Sequence, residues 1–176
     1  NCWIVGVHQG SDQSQNVGVR LSMQRFKKVL NWMRSATNNP NFKILELKIT
    51  ERALSVDLLE ILRREEAFED LTMLNLVDNG IDKKGAEVLA QNRHWTQLHS
   101  LYLSSNKFTQ KGAEALSQNK RWSKLQHLEL DNNDIGPKGA KALPKSQNSK
   151  DLKTLSLENN QIGNEGWIGI IQDNPW

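Results

Sequence analysis

The sequence predicts an α/β solenoid, a curved right-handed horseshoe with a parallel sheet on its concave face and helices on its convex face. Leu71, Leu98, Leu125 and Leu152 follow one another at intervals of 27 residues, and each begins the same pattern. The pattern is L-x-x-L-x-L-x-x-N-x-I/F-x-x-x-G-A, which joins a strand signal to a helix signal. One such unit cannot close a core alone, whereas stacked units bury a continuous one.

The first half of each unit is predicted to be a strand that ends in a turn. In L-x-L the two leucines lie on one face of the extended chain and point into the core. The Asn that follows can donate and accept hydrogen bonds, so it can satisfy backbone groups that the turn leaves unpaired. A single apolar residue then returns to the core, and stacking is expected to place Ile162 above Ile135. These residues are Ile81, Phe108, Ile135 and Ile162.

The second half of each unit is predicted to be a helix that opens at a Gly-Ala pair. After Gly85 the apolar residues are Ala86, Leu89 and Ala90, a spacing that places them on one helical face. The small Ala lets the helix lie close to the sheet. Strands pack about 4.8 Å apart and helices about 8–10 Å apart, so the stack must bend with the sheet inside.

The last unit departs from this helical pattern. Trp167 stands where the other units have Ala, and Ile170 and Ile171 complete the predicted inward face. Gly169 is expected to interrupt the helix. A large residue at position 167 suits a terminal repeat with nothing stacked beyond it. The alternative is that the sequence was simply cut at a repeat boundary, at Trp176.

An aromatic residue recurs where each helix returns to the next strand. The series is Phe68, Trp95, Trp122 and Trp176, with Ser149 interrupting it. We predict a ladder of packed aromatic side chains in the core rather than a row that binds a ligand.

The pattern also predicts how the chain is divided. The repeats are predicted to span 42–70, 71–97, 98–124, 125–151 and 152–176. The first begins at Phe42, with Thr50 in place of Asn and a spacing of 29 residues to the next. Residues 1–41 do not follow the pattern. There we expect a strand, a loop over 8–16 and a helix within 17–34, which together form an irregular N-terminal repeat or cap.

This frame is similar to that of the leucine-rich-repeat family, and in particular to its ribonuclease-inhibitor-like class, which has a full helix in each repeat. The segments GAEVLA, GAEALS and GAKALP also resemble the GALA-type repeats of some bacterial effectors. The resemblance covers residues 42–176 and implies the solenoid fold. It also implies a non-catalytic module that binds a protein, as the recognition part of a larger effector or sensor. Such a scaffold nevertheless hosts many activities.

Composition excludes several classes of protein. Hydrophobic residues make up 37% of the chain and charged residues 24%, as in a folded globular protein. No apolar run approaches the roughly 20 residues of a membrane-spanning helix. The single Cys2 cannot form an internal disulfide, and this, with the lack of an Asn-x-Ser/Thr sequon, favours a cytoplasmic protein. A secreted effector stays open, because the chain does not begin with Met and a targeting segment could precede it.

The sequence contains no motif that predicts catalysis, a cofactor or a metal. Residues 131–142, DNNDIGPKGAKA, resemble a calcium loop only superficially, because Ile135 and Ala142 stand where oxygen ligands are required. The histidines fall at different repeat positions, and there is no phosphate-binding glycine motif. The repeat glycines Gly85, Gly112, Gly139 and Gly166 are predicted to be architectural. We therefore expect neither an enzyme nor a small-molecule substrate.

The concave face is the predicted binding surface, because the residues between the inward leucines point out of the sheet. The predicted columns are Ile44, Met73, Ser100, His127, Thr154; Glu46, Asn75, Tyr102, Glu129, Ser156; and Lys48, Val77, Ser104, Asp131, Glu158. The turns add Asp78, Ser105, Asn132 and Asn159. An apolar and aromatic centre beside an acidic end is typical of a hot spot with a steering rim. The predicted partner-binding residues are Met73, Val77, Tyr102, His127, Glu129, Asp131 and Glu158.

Three functions follow from these surfaces. The first is recognition of a protein partner with a basic patch. The second is regulation of an enzyme, either GTPase-activating or inhibitor-like, with Asn132 or Asn159 on the turn rim. The third is nucleic-acid binding by basic residues of the convex helices, which the net charge of only +3 disfavours. Those basic residues are Lys83, Lys84, Lys111, Lys120, Arg121, Lys138 and Lys141. A concave face that varies freely and binds nothing is the remaining alternative.

Overall fold

The predicted solenoid is confirmed in the computed structural model, in which strands and helices alternate along a single stack. The structure describes residues 2–4, 8–9, 19–21, 28, 31, 35, 42–49, 54–65, 68–145 and 150–173. The strands are β1 (Cys2–Ile4), β2 (His8–Gln9), β3 (Val19–Leu21), β4 (Phe42–Lys43), β5 (Glu46–Lys48), β6 (Met73–Asn75), β7 (Ser100–Tyr102), β8 (His127–Glu129) and β9 (Thr154–Ser156). The helices are α1 (Val56–Arg64), α2 (Lys83–Ala90), α3 (Gln110–Ser117), α4 (Gly136–Ala142) and α5 (Gly163–Gln172).

Strands β5 to β9 form one parallel sheet in chain order, and each of helices α2 to α5 packs on the helix before it. Each strand pairs with the residues 27 positions further on, so equivalent residues form columns across the sheet. The core lies between sheet and helices. The residues that return to it after the turn are all buried, which confirms their predicted role: Ile81, Phe108, Ile135 and Ile162.

The first repeat has a different register from the predicted one. Glu46 pairs with Met73 and Lys48 pairs with Asn75, so the first repeat is displaced by two residues from the predicted columns. Ile44 is 1% exposed and takes the place of the first repeat leucine instead of standing on the concave face. The cause is burial, because Ile44, Leu47 and Ile49 reach the core only in this register. Thr50, predicted to replace the turn Asn, lies outside the described residues.

The N-terminal segment contains more strand than predicted. Val19–Leu21, at the start of the predicted helix, instead pairs antiparallel with Cys2–Ile4. His8–Gln9, predicted as loop, pairs antiparallel with Phe42–Lys43. At the start of residues 17–34, pairing of the backbone in a strand thus prevails over the helix that the spacing of apolar residues predicts. Residues 28, 31 and 35 are helical, and the division into a cap over 1–41 and five repeats stays a prediction.

The repeat Asn is buried and joins successive turns. Asn106 Oδ1 accepts hydrogen bonds from the backbone N–H groups of Asn79 (3.1 Å) and Ile81 (2.9 Å). Its Nδ2 donates to the carbonyls of Leu76 (2.9 Å) and Leu103 (2.8 Å). The other repeat Asn residues also donate to a carbonyl of the preceding repeat: Asn79, Asn133 and Asn160. The predicted role in satisfying turn groups is confirmed, and the bonds additionally cross between repeats.

The repeat glycines lie inside the helices rather than at their first residues. Helix α2 begins two residues before Gly85, because the Asp82 side chain accepts a hydrogen bond from the Gly85 N–H at 3.0 Å and caps the helix. A Cβ on Gly139 would lie 2.8 Å from Ile135 Cγ2 and 3.0 Å from Gln110 Cα. No Cβ contact is ordinarily that short, so only Gly lets α4 pack this closely on α3. The architectural role predicted for these glycines is confirmed.

The predicted aromatic ladder is present in the described repeats. Trp95 and Trp122 stack with ring centroids 6.4 Å apart and an interplanar angle of 13°. They are 0% and 2% exposed, and Phe68 is fully buried. A second buried Asn row positions the backbone of the ladder, because Asn92 Oδ1 accepts a hydrogen bond from the backbone N–H of Trp95 and Asn119 Oδ1 accepts one from the backbone N–H of Trp122. Ser149 and Trp176, the remaining members of the predicted series, lie outside the described residues.

The last helix differs from its prediction in two respects. It runs through Gly169, and the aliphatic stem of Lys141 lies where a side chain at that position would stand. Of its predicted inward residues only Ile170 is buried, whereas Trp167 and Ile171 are 49% and 71% exposed. In earlier repeats the residues equivalent to Trp167 face the following helix, as Ala86 does at 3.1 Å from the Cβ position of Gly112. No following helix stands there among the described residues.

Ion pairing joins α5 to α4 on the outside of the stack. Lys141 Nζ donates a hydrogen bond to Glu165 Oε1 at 2.9 Å. This bond and the charge of the ammonium hold the pKa of Glu165 below its ordinary value. Within the described residues, no helix combines the length and apolar character needed to cross a bilayer.

Candidate functional site

The candidate site is the outer surface of the parallel sheet, where side chains alternate with the buried leucines. Each described strand from β6 to β8 shows the same burial, with a buried central residue between two half-buried ones. Half-buried side chains on a rigid sheet keep a fixed position while leaving one side open to a partner.

Tyr102 and Glu129 form the centre of this surface. They lie opposite one another in the register of β7 and β8 and both are half-buried. Neither side chain makes a hydrogen bond or an ion pair with another described residue. The Tyr102 hydroxyl and the Glu129 carboxylate are therefore both available to an external group. Met73 and Val77 are also half-buried and add apolar surface beside them.

The acidic end is organised differently, because Asp131 is occupied by its neighbours. Asp131 Oδ1 accepts hydrogen bonds from Ser156 Oγ at 2.6 Å and from the Glu158 N–H at 2.7 Å. The Asp131 N–H donates to the buried Ser104 Oγ at 3.2 Å. Asp131 therefore fastens β8 to β9, and its carboxylate is only partly free. Glu158 is exposed, and its carboxylate makes no bond within the described residues.

His127 is also engaged within the sheet. Its Nδ1 lies 2.6 Å from Thr154 Oγ1, the residue opposite it on β9. The predicted site residues thus separate into a free group and a group that holds the sheet together. The free residues are Met73, Val77, Tyr102, Glu129 and Glu158, and the engaged residues are His127 and Asp131.

Sequence reasoning missed the hydroxyls that position the acidic end. The repeat pattern predicts Ser156 and Ser104 as surface residues of the columns, whereas in the structure both form hydrogen bonds with Asp131. The signal was available, since these residues lie 25 and 27 positions from Asp131 and stacked repeats bring such positions together.

The turn rim contains residues whose backbone is left-handed. Asp78, Ser105, Asn132 and Asn159 have φ between 53° and 57°. Asn and Asp tolerate this conformation better than other non-glycine residues. Asn159 Nδ2 donates to Asn132 Oδ1 at 2.9 Å, so these two exposed amides bond one another. Among the described residues, no group of three His, Cys, Asp or Glu side chains is arranged to hold a metal ion.

Comparison with known proteins agrees with this geometry. The Leucine Rich repeat family model matches residues 70–90, 96–117, 123–143 and 148–170. This part of the chain is a leucine-rich-repeat domain. Membership of the ribonuclease-inhibitor-like class stays a prediction.

Solved structures share the fold of this leucine-rich-repeat domain, and one of them is an actin-binding site. The structure of Leiomodin-1 Actin-Binding Site 2 superposes with a TM-score of 0.63 and 20% sequence identity. The match covers 88% of this chain and 88% of that chain. No curated protein sequence matches the chain. At this identity the structural likeness establishes the fold alone.

Proposed function

We propose that this leucine-rich-repeat domain binds a protein partner through the concave face of its sheet and catalyses no reaction. The adjacent Tyr102 and Glu129 carry the proposal, because both are held in place yet bonded to no other described side chain. A half-buried aromatic ring in the middle of a surface is a typical hot-spot residue. Met73 and Val77 extend the apolar contact around it.

The charge of this face favours a partner with a basic patch. Glu129 and Glu158 lie at the end of the surface near β9, and none of the ion pairs within the described residues involves them. Opposite charges raise the association rate, and salt screens this effect. Binding is therefore expected to slow as ionic strength rises.

Actin is the first partner to test, because the structure similar in fold is named as an actin-binding site. The experiment compares wild-type protein with the Tyr102→Ala/Glu129→Lys/Glu158→Lys variant. Asp131 is left unchanged, since its carboxylate holds β9 and its loss would disturb the sheet. The matched control is Glu69→Lys/Asp151→Lys, which reverses two exposed carboxylates away from this face.

Affinity for monomeric actin is measured by titration, and other partners are captured from lysate in parallel. We expect the triple variant to weaken binding of the partner by about 100-fold, because it removes the aromatic ring of a hot-spot residue and reverses two charges that would attract a basic patch. The control should bind within about threefold of wild type. Equal binding by wild type and triple variant would place the interface outside the concave face.

A further inference from the structure

We propose that the edge of the solenoid where helices return to strands binds an acidic segment of a protein, separately from the concave face. This edge is called the basic rim. It consists of exposed cations in the connections after α2, α3 and α4: Arg93, Lys120, Arg121, Lys124, Lys150 and Lys153. The sequence prediction placed Lys120 and Arg121 on a convex helix, but α3 ends at Ser117, so both belong to the rim.

Within the described part of the chain, carboxylates do not neutralise the basic rim. None of these six cations takes part in an ion pair within the described residues. Asp151 is exposed in the same connection as Lys150 and Lys153, and Asp173 pairs instead with Lys145 at 3.1 Å. The positive charge of the rim is therefore available to an external anion.

Helix electrostatics does not explain these cations either. Cations near the last turn of a helix stabilise it through the macrodipole, and the effect fades beyond that turn. Helices α2 and α3 have no basic residue in their last turns. Arg93 and Lys120 come three residues after the ends of α2 and α3, and Lys124 comes later still. A role in helix stability therefore accounts for little of the rim.

The rim includes a concave feature that can receive a side chain. A cavity of about 270 Å³ lies between the C-terminal ends of α3 and α4, lined by Ser117, Gln118, Lys120, Ala142 and Lys145. Lys145 is already paired with Asp173, whereas Lys120 takes part in no ion pair within the described residues, so the Lys120 ammonium can donate a hydrogen bond to a carboxylate that enters this open cavity. The cavity gives the rim a specific point of contact.

An acidic protein segment fits this rim better than a nucleic acid. Single-stranded nucleic acids bind to stacking platforms of exposed aromatic rings within a basic groove. The rim's own aromatic residues, Trp95 and Trp122, are buried and stack on one another. Lysines outnumber arginines among its cations, whereas bidentate phosphate recognition favours arginine.

The test uses fluorescence anisotropy with two labelled probes that carry the same number of negative charges. One probe is a peptide of alternating Glu and Gly, and the other is a single-stranded RNA. The rim variant is Lys120→Gln/Lys124→Gln/Lys153→Gln. Its control is Lys84→Gln/Lys111→Gln/Lys138→Gln, which removes the same charge from exposed positions on α2, α3 and α4. Circular dichroism melting verifies that both variants fold.

We expect wild type to bind the peptide more tightly than the RNA, with an affinity that falls as salt rises. The rim variant should lose at least about tenfold in peptide affinity, and the control should stay within about twofold of wild type. The concave-face triple variant should bind the peptide at least as tightly as wild type. An equal loss of peptide affinity in the rim and control variants would show that only the net charge of the protein matters, and it would overturn the proposal. Rim-dependent binding that favours RNA, or no peptide binding by wild type, would also overturn it.

Discussion

Single side chains join one repeat to the next in this domain. The amide of Asn106 bonds two backbone N–H groups and two carbonyls, and some of these groups belong to the preceding repeat. A Leu or Ala could fill the same space but would leave those buried groups unpaired. The repeat Asn was predictable from its fixed place after L-x-L. Its reach into the neighbouring repeat became evident only from the stacked structure.

Replacing Asn106 with Ala is expected to destabilise the domain by about 2–4 kcal/mol, because several buried backbone groups lose their partners. The matched control is Asn164→Ala, at an exposed position on α5, where the change should be within about 0.5 kcal/mol. The free energy of unfolding is measured for both by urea denaturation. Similar values for the two variants would show that the turn can satisfy its groups from water.

At the scale of elements, α5 shows how position in the stack decides burial. Repeat spacing predicted one inward face for every helix, and in α5 only part of that face is buried. Leu89 and Ile170, which come three residues after the first apolar residue of their helices, are buried in the core. Residues equivalent to Trp167 contact the next helix, so their burial depends on a neighbour. Periodicity reports which face is apolar, but it does not report whether a neighbour covers it.

Ile170 and Ile171 provide a direct test, since they are adjacent residues of the same type. Ile170 is 6% exposed and Ile171 is 71% exposed. Ile170→Ala should destabilise the domain by about 2–4 kcal/mol through lost burial and a cavity. Ile171→Ala should change stability by less than about 0.5 kcal/mol. Thermal and urea unfolding compare the two, and equal losses would mean that Ile171 is covered in solution.

At the scale of the whole molecule, each repeat depends mainly on its nearest neighbours. In such a stack stability is close to a sum of repeat and interface contributions, and terminal repeats open more readily. The backbone N–H of Leu103 donates a hydrogen bond to the Glu129 carbonyl at 2.8 Å, and the backbone N–H of Leu130 donates one to the Ser156 carbonyl at 2.9 Å. The equivalent Leu157 N–H has no acceptor among the described residues. Among the described residues, β9 is therefore an open edge of the sheet.

This edge predicts a gradient in amide hydrogen exchange. The amides of Leu103 and Leu130 are expected to exchange at least about tenfold more slowly than that of Leu157, because each is bonded to the next strand. Exchange followed by NMR at single-residue resolution provides the measurement. Protection of Leu157 equal to that of Leu130 would mean that another segment or molecule covers β9.

The sequence by itself determined the solenoid fold, the role of the turn Asn, the architectural role of the repeat glycines and the aromatic ladder. Each of these depends on a pattern that recurs every 27 residues, and recurrence makes even a short pattern reliable. The sequence also placed the candidate site on the outer face of the sheet, although its role in binding stays a prediction.

Only the tertiary structure decided the register of the first repeat, the exposure of α5, and which acidic side chains are free. These properties depend on contacts between residues that are one repeat apart, as between Asp131 and Ser156, or on whether a described neighbour covers the helix. They also depend on where a helix ends, which placed Lys120 and Arg121 on the rim. A periodic sequence signal describes the unit that repeats, whereas contacts between units and at the edge of the stack arise only once the chain has folded.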